Sequence, residues 1–167
     1  MGPARLRRNA LNASSPSPTG PVLLCFDGSD DAADAISRAA ELLGARAAVV
    51  LTTWEPVRTW AAYDPVTIIS APLSRLTSEQ LGLDEIAAGV AGETVARGVE
   101  LARAAGFDAR GRVAEGKAWR TICAVGEELD AAVIVLGARG LSRVKSALLG
   151  SVSATVALHA RQPVLIS

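Results

Sequence analysis

The sequence has few of the residues that build metal, disulfide or aromatic-rich sites. It contains two cysteines, one histidine and 4% aromatic residues in 167. Cys25 and Cys123 lie far apart in apolar stretches, which excludes a zinc knuckle and predicts buried free thiols in a reducing compartment. A catalytic cysteine would need a histidine partner, and nothing in the sequence brings His159 near either thiol. We therefore expect a cytoplasmic protein with an aliphatic core.

An excess of one charge and a long apolar run are also missing. The 17 Lys and Arg residues balance the 17 Asp and Glu residues, which gives no electrostatic reason to expect binding to nucleic acid or to a membrane surface. No run approaches the roughly 20 apolar residues that span a bilayer. The longest apolar clusters, such as 131–136, have the length of a strand. Neither nucleic acid nor a membrane is expected as a partner.

Two stretches lack the patterning of a packed domain. Residues 1–20 contain arginine, proline and serine without the apolar segment of a secretory signal. We expect a disordered tail over 1–20 and one domain over 21–167, with an organellar transit peptide as the alternative. Residues 54–83 contain three prolines and no clear period, which predicts a mobile loop that orders partly over a ligand.

Strand and helix patterns alternate along residues 21–167. Strands are predicted at 21–26, 47–53, 108–113, 131–136 and 163–166, and helices at 30–43, 84–105, 117–128 and 150–160. This alternation predicts an α/β fold with a parallel sheet, helices on both faces and right-handed crossovers. Ligands of such sheets bind beyond the carboxyl ends of the strands, where the strand order reverses. The first and fourth strands end at Asp27 and Gly137, so the site is expected there.

The segment 137–153, GARGLSRVKSALLGSVS, has features of a phosphate-binding loop. Gly137 and Gly140 allow the backbone to turn sharply and approach a ligand. Gly150 and Ser151 open the last predicted helix, whose free N–H groups and dipole favour an anion. The segment has no acidic residue; Arg139, Arg143 and Lys145 supply three positive charges, and Ser151 and Ser153 add hydroxyl donors. The alternative is that these glycines only make turns.

The spacing of Gly137, Gly140 and the Gly150–Ser151 pair resembles the nucleotide signature of ATP-binding universal stress proteins. The similarity extends over about residues 20–167 and includes four other stretches: 27–29 (DGS), 52–54 (TTW), 115–116 (EG) and 163–166 (PVLI). The resemblance implies a single domain of the adenine-nucleotide alpha-hydrolase-like type. Its five-stranded parallel sheet would have the strand order 3-2-1-4-5.

The resemblance also implies roles for individual residues. Asp27 would lie by the ribose or a Mg²⁺ ion, and the backbone near Thr53 would meet the adenine. Gly137 and Gly140 would line the ribose and phosphates, and the Gly150–Ser151 pair would hold phosphate oxygens. The full set of expected nucleotide-site residues is Asp27, Thr53, Gly137, Arg139, Gly140, Gly150, Ser151, Val152 and Ser153. Considered without the resemblance, Asp27 also fits an N-cap or turn residue before the first helix.

Three classes of function stay open at this point. The favoured one is a stress-response or regulatory protein that binds ATP with slow or no hydrolysis, because no GxxxxGK[ST] loop and no obvious general base are present. An adenylyl-transferring enzyme of related fold is the second, although residues 27–30 match neither of its HIGH and SGGxDS loops. The third is a nucleotide-independent dimeric interaction module.

The end of the chain predicts a homodimer. In the implied strand order, the strand at 163–166 lies at the edge of the sheet and has unpaired backbone groups. It is apolar and has no charge that would block pairing. We expect it to pair antiparallel with its copy around a two-fold axis, as in many relatives.

Overall fold

The computed structural model describes residues 19–56, 82–139 and 149–167. Strands and helices alternate throughout these ranges. They are β1 (Val22–Cys25), α1 (Asp30–Leu43), β2 (Ala47–Trp54), α2 (Leu83–Ala104), β3 (Asp108–Glu115), α3 (Ala118–Glu128), β4 (Val133–Leu136), α4 (Ser151–His159) and β5 (Val164–Ile166). All nine predicted elements are present, and most boundaries agree within two residues.

The five strands form one parallel sheet in the order β3-β2-β1-β4-β5. This confirms the predicted fold class and the strand order. From β1 the chain adds β2 and β3 on one side, and it then crosses to add β4 and β5 on the other. The order therefore reverses between β1 and β4, and the carboxyl ends of these two central strands mark the expected ligand position.

The third strand is longer than its sequence predicts. It continues to Glu115 because Ala114 and Glu115 pair with Thr53 and Trp54 of β2. Its residues alternate between buried or partly buried and exposed over part of its length, as at the edge of a sheet with one solvated side. The sequence indicates this strand only as far as Val113, because a polar edge strand has a weak apolar pattern.

Helices cover both faces of the sheet, and each face has its own apolar core. On one face α1 and α2 pack against Leu24 and Phe26, whereas on the other α3 and α4 pack against Leu23. Leu23 and Leu24 are completely buried, and each such side chain contributes about 1.5–3 kcal/mol to folding. The period-2 alternation of β1 thus holds the two helical layers on opposite sides of one strand.

Several predictions fall on residues that the structure does not describe. The predicted disordered tail falls there almost entirely, as do Gly140, Arg143, Lys145 and residues 57–81 of the predicted loop. The boundary between tail and domain therefore stays a prediction. Across the ranges 19–56, 82–139 and 149–167, the structure has no helix that is long and apolar enough to cross a membrane.

Candidate functional site

A cavity of about 280 Å³ lies at the carboxyl ends of β1 and β4. It contains eight of the nine residues predicted to bind nucleotide: Asp27, Thr53, Gly137, Arg139, Gly150, Ser151, Val152 and Ser153. The ninth, Gly140, is outside the described residues. The volume of the cavity is close to the lower end of the range for small-molecule pockets, about 300–1,000 Å³. Residues from four separate parts of the sequence are thus brought to one place.

The rest of the cavity wall is mostly aliphatic. It consists of Cys25, Phe26, Ala32, Leu51, Ala118, Ile122 and Leu136. The sequence pattern predicted that most of these residues are buried, but it had no signal that they border a ligand site. The cavity therefore combines an apolar wall with a polar, glycine-containing rim, which is the usual make-up of a site for a small organic ligand.

Cys25 is part of this wall as a free, partly buried thiol. Burial is the main cause that raises its pKa well above the ordinary value, and the nearby Cys123 and Asp27 add to it. Burial also raises the pKa of Cys123, which is a second free thiol. Both cysteines therefore stay protonated and weakly nucleophilic at neutral pH. This agrees with the prediction of free thiols, although neither residue is completely buried.

Asp27 occupies the tight turn that joins β1 to α1. Its Oδ1 accepts hydrogen bonds from the Ser29 backbone N–H at 3.0 Å and from the Ser29 hydroxyl at 2.6 Å. Ser29, rather than Asp27, is the N-cap of α1, because its Oγ accepts from the Ala32 N–H at 3.2 Å. Gly28 between them has φ +88°, a conformation that favours glycine. Asp27 is thus a turn residue whose exposed carboxylate is held at the cavity rim.

The end of β2 forms a second part of the rim. Thr52 is buried, and its hydroxyl donates to the Phe26 carbonyl at 2.8 Å. This bond ties β2 to the residue that precedes Asp27. Strand alternation then turns the next residue, Thr53, to the opposite side, where it lines the cavity.

The amino end of α4 forms the third part of the rim. The first backbone bond inside the helix runs from the Ala154 N–H to the Gly150 carbonyl at 2.9 Å, and Gly150 provides no side-chain cap. The N–H groups of Ser151, Val152 and Ser153 therefore donate to none of the described residues. The Gly150 N–H, in contrast, donates to the Ala138 carbonyl at 2.7 Å. The sequence predicted free amides from Gly150 onward. In the structure, they begin at Ser151.

Two contacts hold the loop after β4 against its neighbours. The Ala138 N–H donates to the Ser167 carbonyl at 2.6 Å, so the last residue of the chain supports this loop. A Cβ added to Gly137 would lie 2.8 Å from both the Ala32 nitrogen and the Asp31 carbonyl carbon. The sequence suggested that Gly137 leaves space for a ligand. In the structure, the first turn of α1 occupies that space.

Arg139 leaves this loop toward the first turn of α1. Its Nε donates to Oδ2 of Asp31 at 2.9 Å, and the two residues are 108 positions apart in the sequence. The arginine side chain is 57% exposed and lines the cavity, and that of Asp31 is 30% exposed. The sequence pattern indicates Arg139 but gives no signal for Asp31, because an acidic residue near a helix N-terminus is explained by the helix dipole alone.

A comparison with protein families identifies the class of protein. The model of the universal stress protein family matches residues 19–167. The match covers most of the chain, which therefore belongs to this family. The resemblance inferred from the loop glycines is thereby confirmed.

Solved structures show the same fold. UspA from Lactobacillus plantarum is 19% identical, with 90% of this chain and 98% of that chain covered and a TM-score of 0.66. A universal stress protein in complex with cAMP is 26% identical, with coverage of 90% and 98% and a TM-score of 0.58. The Archaeoglobus fulgidus universal stress protein in complex with dAMP is 20% identical, with the same coverage and a TM-score of 0.52. No curated protein matches the chain.

Proposed function

We propose that this protein binds an adenine nucleotide, with ATP as the expected ligand, in the cavity between β1 and β4. The observation that supports this most is the convergence of Asp27, Thr53, Arg139 and the free amides of α4 on one cavity. Family members that are similar to this chain have been solved in complex with cAMP and dAMP. We expect ATP, rather than a nucleotide with one phosphate, because the free amides of α4 and Arg139 could bind the further phosphates.

The base would occupy the aliphatic part of the cavity. Leu51, Ala118 and Ile122 provide apolar walls on which a planar ring can pack. The backbone at Thr53 would supply the polar contacts that distinguish adenine, and Asp27 would accept from the ribose hydroxyls. Backbone and carboxylate groups that are already hydrogen-bonded in place cost little entropy to use, which favours affinity.

The phosphates would lie at the amino end of α4. The three free amides and the Ser151 hydroxyl can donate to phosphate oxygens, and the positive end of the helix dipole favours their charge. Arg139 adds a guanidinium with donors beyond the one used by Asp31. Hydrogen bonds between charged groups are roughly twice as strong as neutral ones.

A Mg²⁺ ion fits this site only together with the phosphates. Mg²⁺ is usually bound by one or two carboxylates, by substrate phosphates and by water. The described residues contain no group of three or more His, Cys, Asp or Glu side chains that could hold a metal ion. Asp27 receives both of its hydrogen bonds on Oδ1, and its carboxylate is exposed at the rim. When bound, the ion would neutralise phosphate charge, and Asp27 would be its protein ligand.

Turnover of the nucleotide is expected to be slow or absent. Hydrolysis needs a group that positions water and groups that stabilise the developing charge. Asp27 is the only acidic residue among the described residues that line the cavity, and it is assigned to the ribose or metal. The proposed role is therefore that of a regulatory binder in the stress response. The cytoplasm is the proposed location, because free thiols persist there.

The active unit is proposed to be a homodimer formed through β5. This strand ends the sheet, is apolar and is only partly buried in the single chain. Pairing with a second copy would satisfy its open backbone groups. Leu158 on the adjacent α4 is 82% exposed and adds apolar surface on this side of the molecule.

Two measurements on the purified full-length chain test this function. Mass spectrometry of released small molecules identifies any nucleotide retained from the cell. Calorimetric titration with ATP, ADP, AMP and cAMP then ranks their affinities, and product analysis with labelled ATP measures turnover. Binding without turnover is the expected result. A chain that binds none of the four but is dimeric would instead support the nucleotide-independent interaction module.

A further inference from the structure

Asp31 is the one acidic side chain of the described residues that forms an ion pair with a cavity-lining cation. It belongs to the first turn of α1, whereas its partner Arg139 belongs to the loop after β4. The bond runs from Arg139 Nε to Asp31 Oδ2 at 2.9 Å. Neither Nη group of Arg139 donates to a described residue, and the arginine side chain is 57% exposed.

The backbone around Asp31 is fixed against the loop. Gly137 approaches the Asp31 carbonyl carbon and the Ala32 nitrogen so closely that a Cβ would lie 2.8 Å from each atom. The Ser29 cap at the start of α1 holds the same turn from the other side. The backbone of Asp31 is therefore held beside the loop that carries Arg139. The Asp31 carboxylate lies next to the guanidinium that is proposed to contact phosphate.

The described part of the site is consequently poor in positive charge. Arg139 contributes one positive charge, and Asp27 and Asp31 contribute two negative charges. A ligand phosphate beside the Nη groups of Arg139 would be attracted by the guanidinium and repelled by Asp31. Two unit charges about 4 Å apart interact by about 1 kcal/mol even in bulk water. Because this energy is proportional to each charge, the repulsion from Asp31 increases with the number of phosphate charges.

We infer that Asp31 is a specificity-determining residue that disfavours nucleotides of high uncompensated phosphate charge. This inference rests on the proposed nucleotide site and adds a ligand preference to it. Adenosine is unaffected by Asp31, AMP is disfavoured slightly and metal-free ATP is disfavoured most. A nucleotide whose phosphates are neutralised by a divalent cation largely escapes this penalty.

The test compares three ligands in wild type and two variants. Asp31→Asn removes the charge but keeps an oxygen that can accept from Arg139 Nε. Asp30→Asn is the matched control, because it removes the same charge from the same helical turn, where Asp30 neither lines the cavity nor pairs with Arg139. Adenosine, AMP and ATP are titrated calorimetrically at low salt with EDTA, and thermal unfolding verifies that each variant is folded.

We expect Asp31→Asn to leave adenosine affinity unchanged and to raise AMP affinity about twofold and ATP affinity about fivefold. Asp30→Asn should change each affinity less than about twofold, because Asp30 neither lines the cavity nor pairs with Arg139. An equal change for all three ligands, or weaker ATP binding by Asp31→Asn, would overturn the inference and leave nucleotide binding intact. A wild type that binds none of the three would instead overturn the proposed function, and the inference with it.

Discussion

The Ser153 hydroxyl donates a hydrogen bond of 2.8 Å to the Gly137 carbonyl, which joins α4 to the loop after β4. Ser153 is buried, whereas Ser151, two residues earlier on the same helix, is exposed. The sequence predicted that both serines bind phosphate through their hydroxyls. In the structure, the Ser153 hydroxyl is already bonded to the protein, and its contribution to a ligand is limited to the backbone N–H.

Substitution of these two serines should therefore separate stability from binding. Ser153→Ala leaves the Gly137 carbonyl without this partner in a buried position and should lower the free energy of unfolding by about 0.5–1.5 kcal/mol. Ser151→Ala should leave stability almost unchanged and weaken ATP binding by a similar amount. Denaturant unfolding and calorimetric titration of both variants measure this. Equal losses of stability in the two variants would contradict the assignment.

Gly150 provides a test of the phosphate position. A Cβ at this residue would lie 3.3 Å from the Ala138 carbonyl oxygen, whereas φ −65° is allowed for any residue. Gly150→Val should reduce ATP affinity tenfold or more, about 1.4 kcal/mol, by pushing the helix end away from the loop and filling the rim. Gly150→Ala should have a smaller effect. Circular dichroism establishes that both variants are folded, and unchanged affinity in folded Gly150→Val would refute the site.

Most of the fold was predictable because its signals are local. The runs at β1 and β4 are apolar on both faces, as parallel central strands require, and α1 is bounded by Ser29 and Gly44. The end of β3 was not predictable, because residues 114–115 are strand only through pairing with β2.

The candidate site was predictable as a set of positions but not as a set of contacts. The glycines and serines of residues 137–153 are visible as a spacing in one stretch of sequence. The contact of Gly137 with α1, and the bond from Arg139 to Asp31, join residues more than 100 positions apart. These residues come together only because β4 pairs with β1 in the sheet, and no local sequence pattern encodes these contacts.

Asp27 should affect binding mainly in the presence of Mg²⁺. Asp27→Asn keeps an oxygen that can accept the two Ser29 hydrogen bonds, so the turn into α1 should survive. The amide is a weaker ligand than a carboxylate for Mg²⁺, a hard cation that prefers charged oxygen. ATP affinity should thus fall with Mg²⁺ present and change much less in EDTA. A loss of the same size in both buffers would assign Asp27 to the ribose rather than to the metal.

The proposed dimer should be visible in the backbone amides of β5. The Ile134 N–H donates to the Pro163 carbonyl and the Ser167 N–H to the Leu136 carbonyl, so alternation directs the N–H groups of Val164 and Ile166 away from β4. Pairing with a second copy would cover these two amides. At tens of micromolar protein, a working range suited to a modest interface, we expect light scattering to give a dimer mass.

Hydrogen exchange provides the sharper measurement of the same interface. In the dimer, the Val164 and Ile166 amides should exchange as slowly as the Leu165 amide, which faces β4 in either state. Dilution toward the monomer should accelerate exchange at Val164 and Ile166 and leave Leu165 slow, because only the intermolecular bonds depend on concentration. A monomer mass together with fast exchange at these two amides at every concentration would exclude pairing through β5.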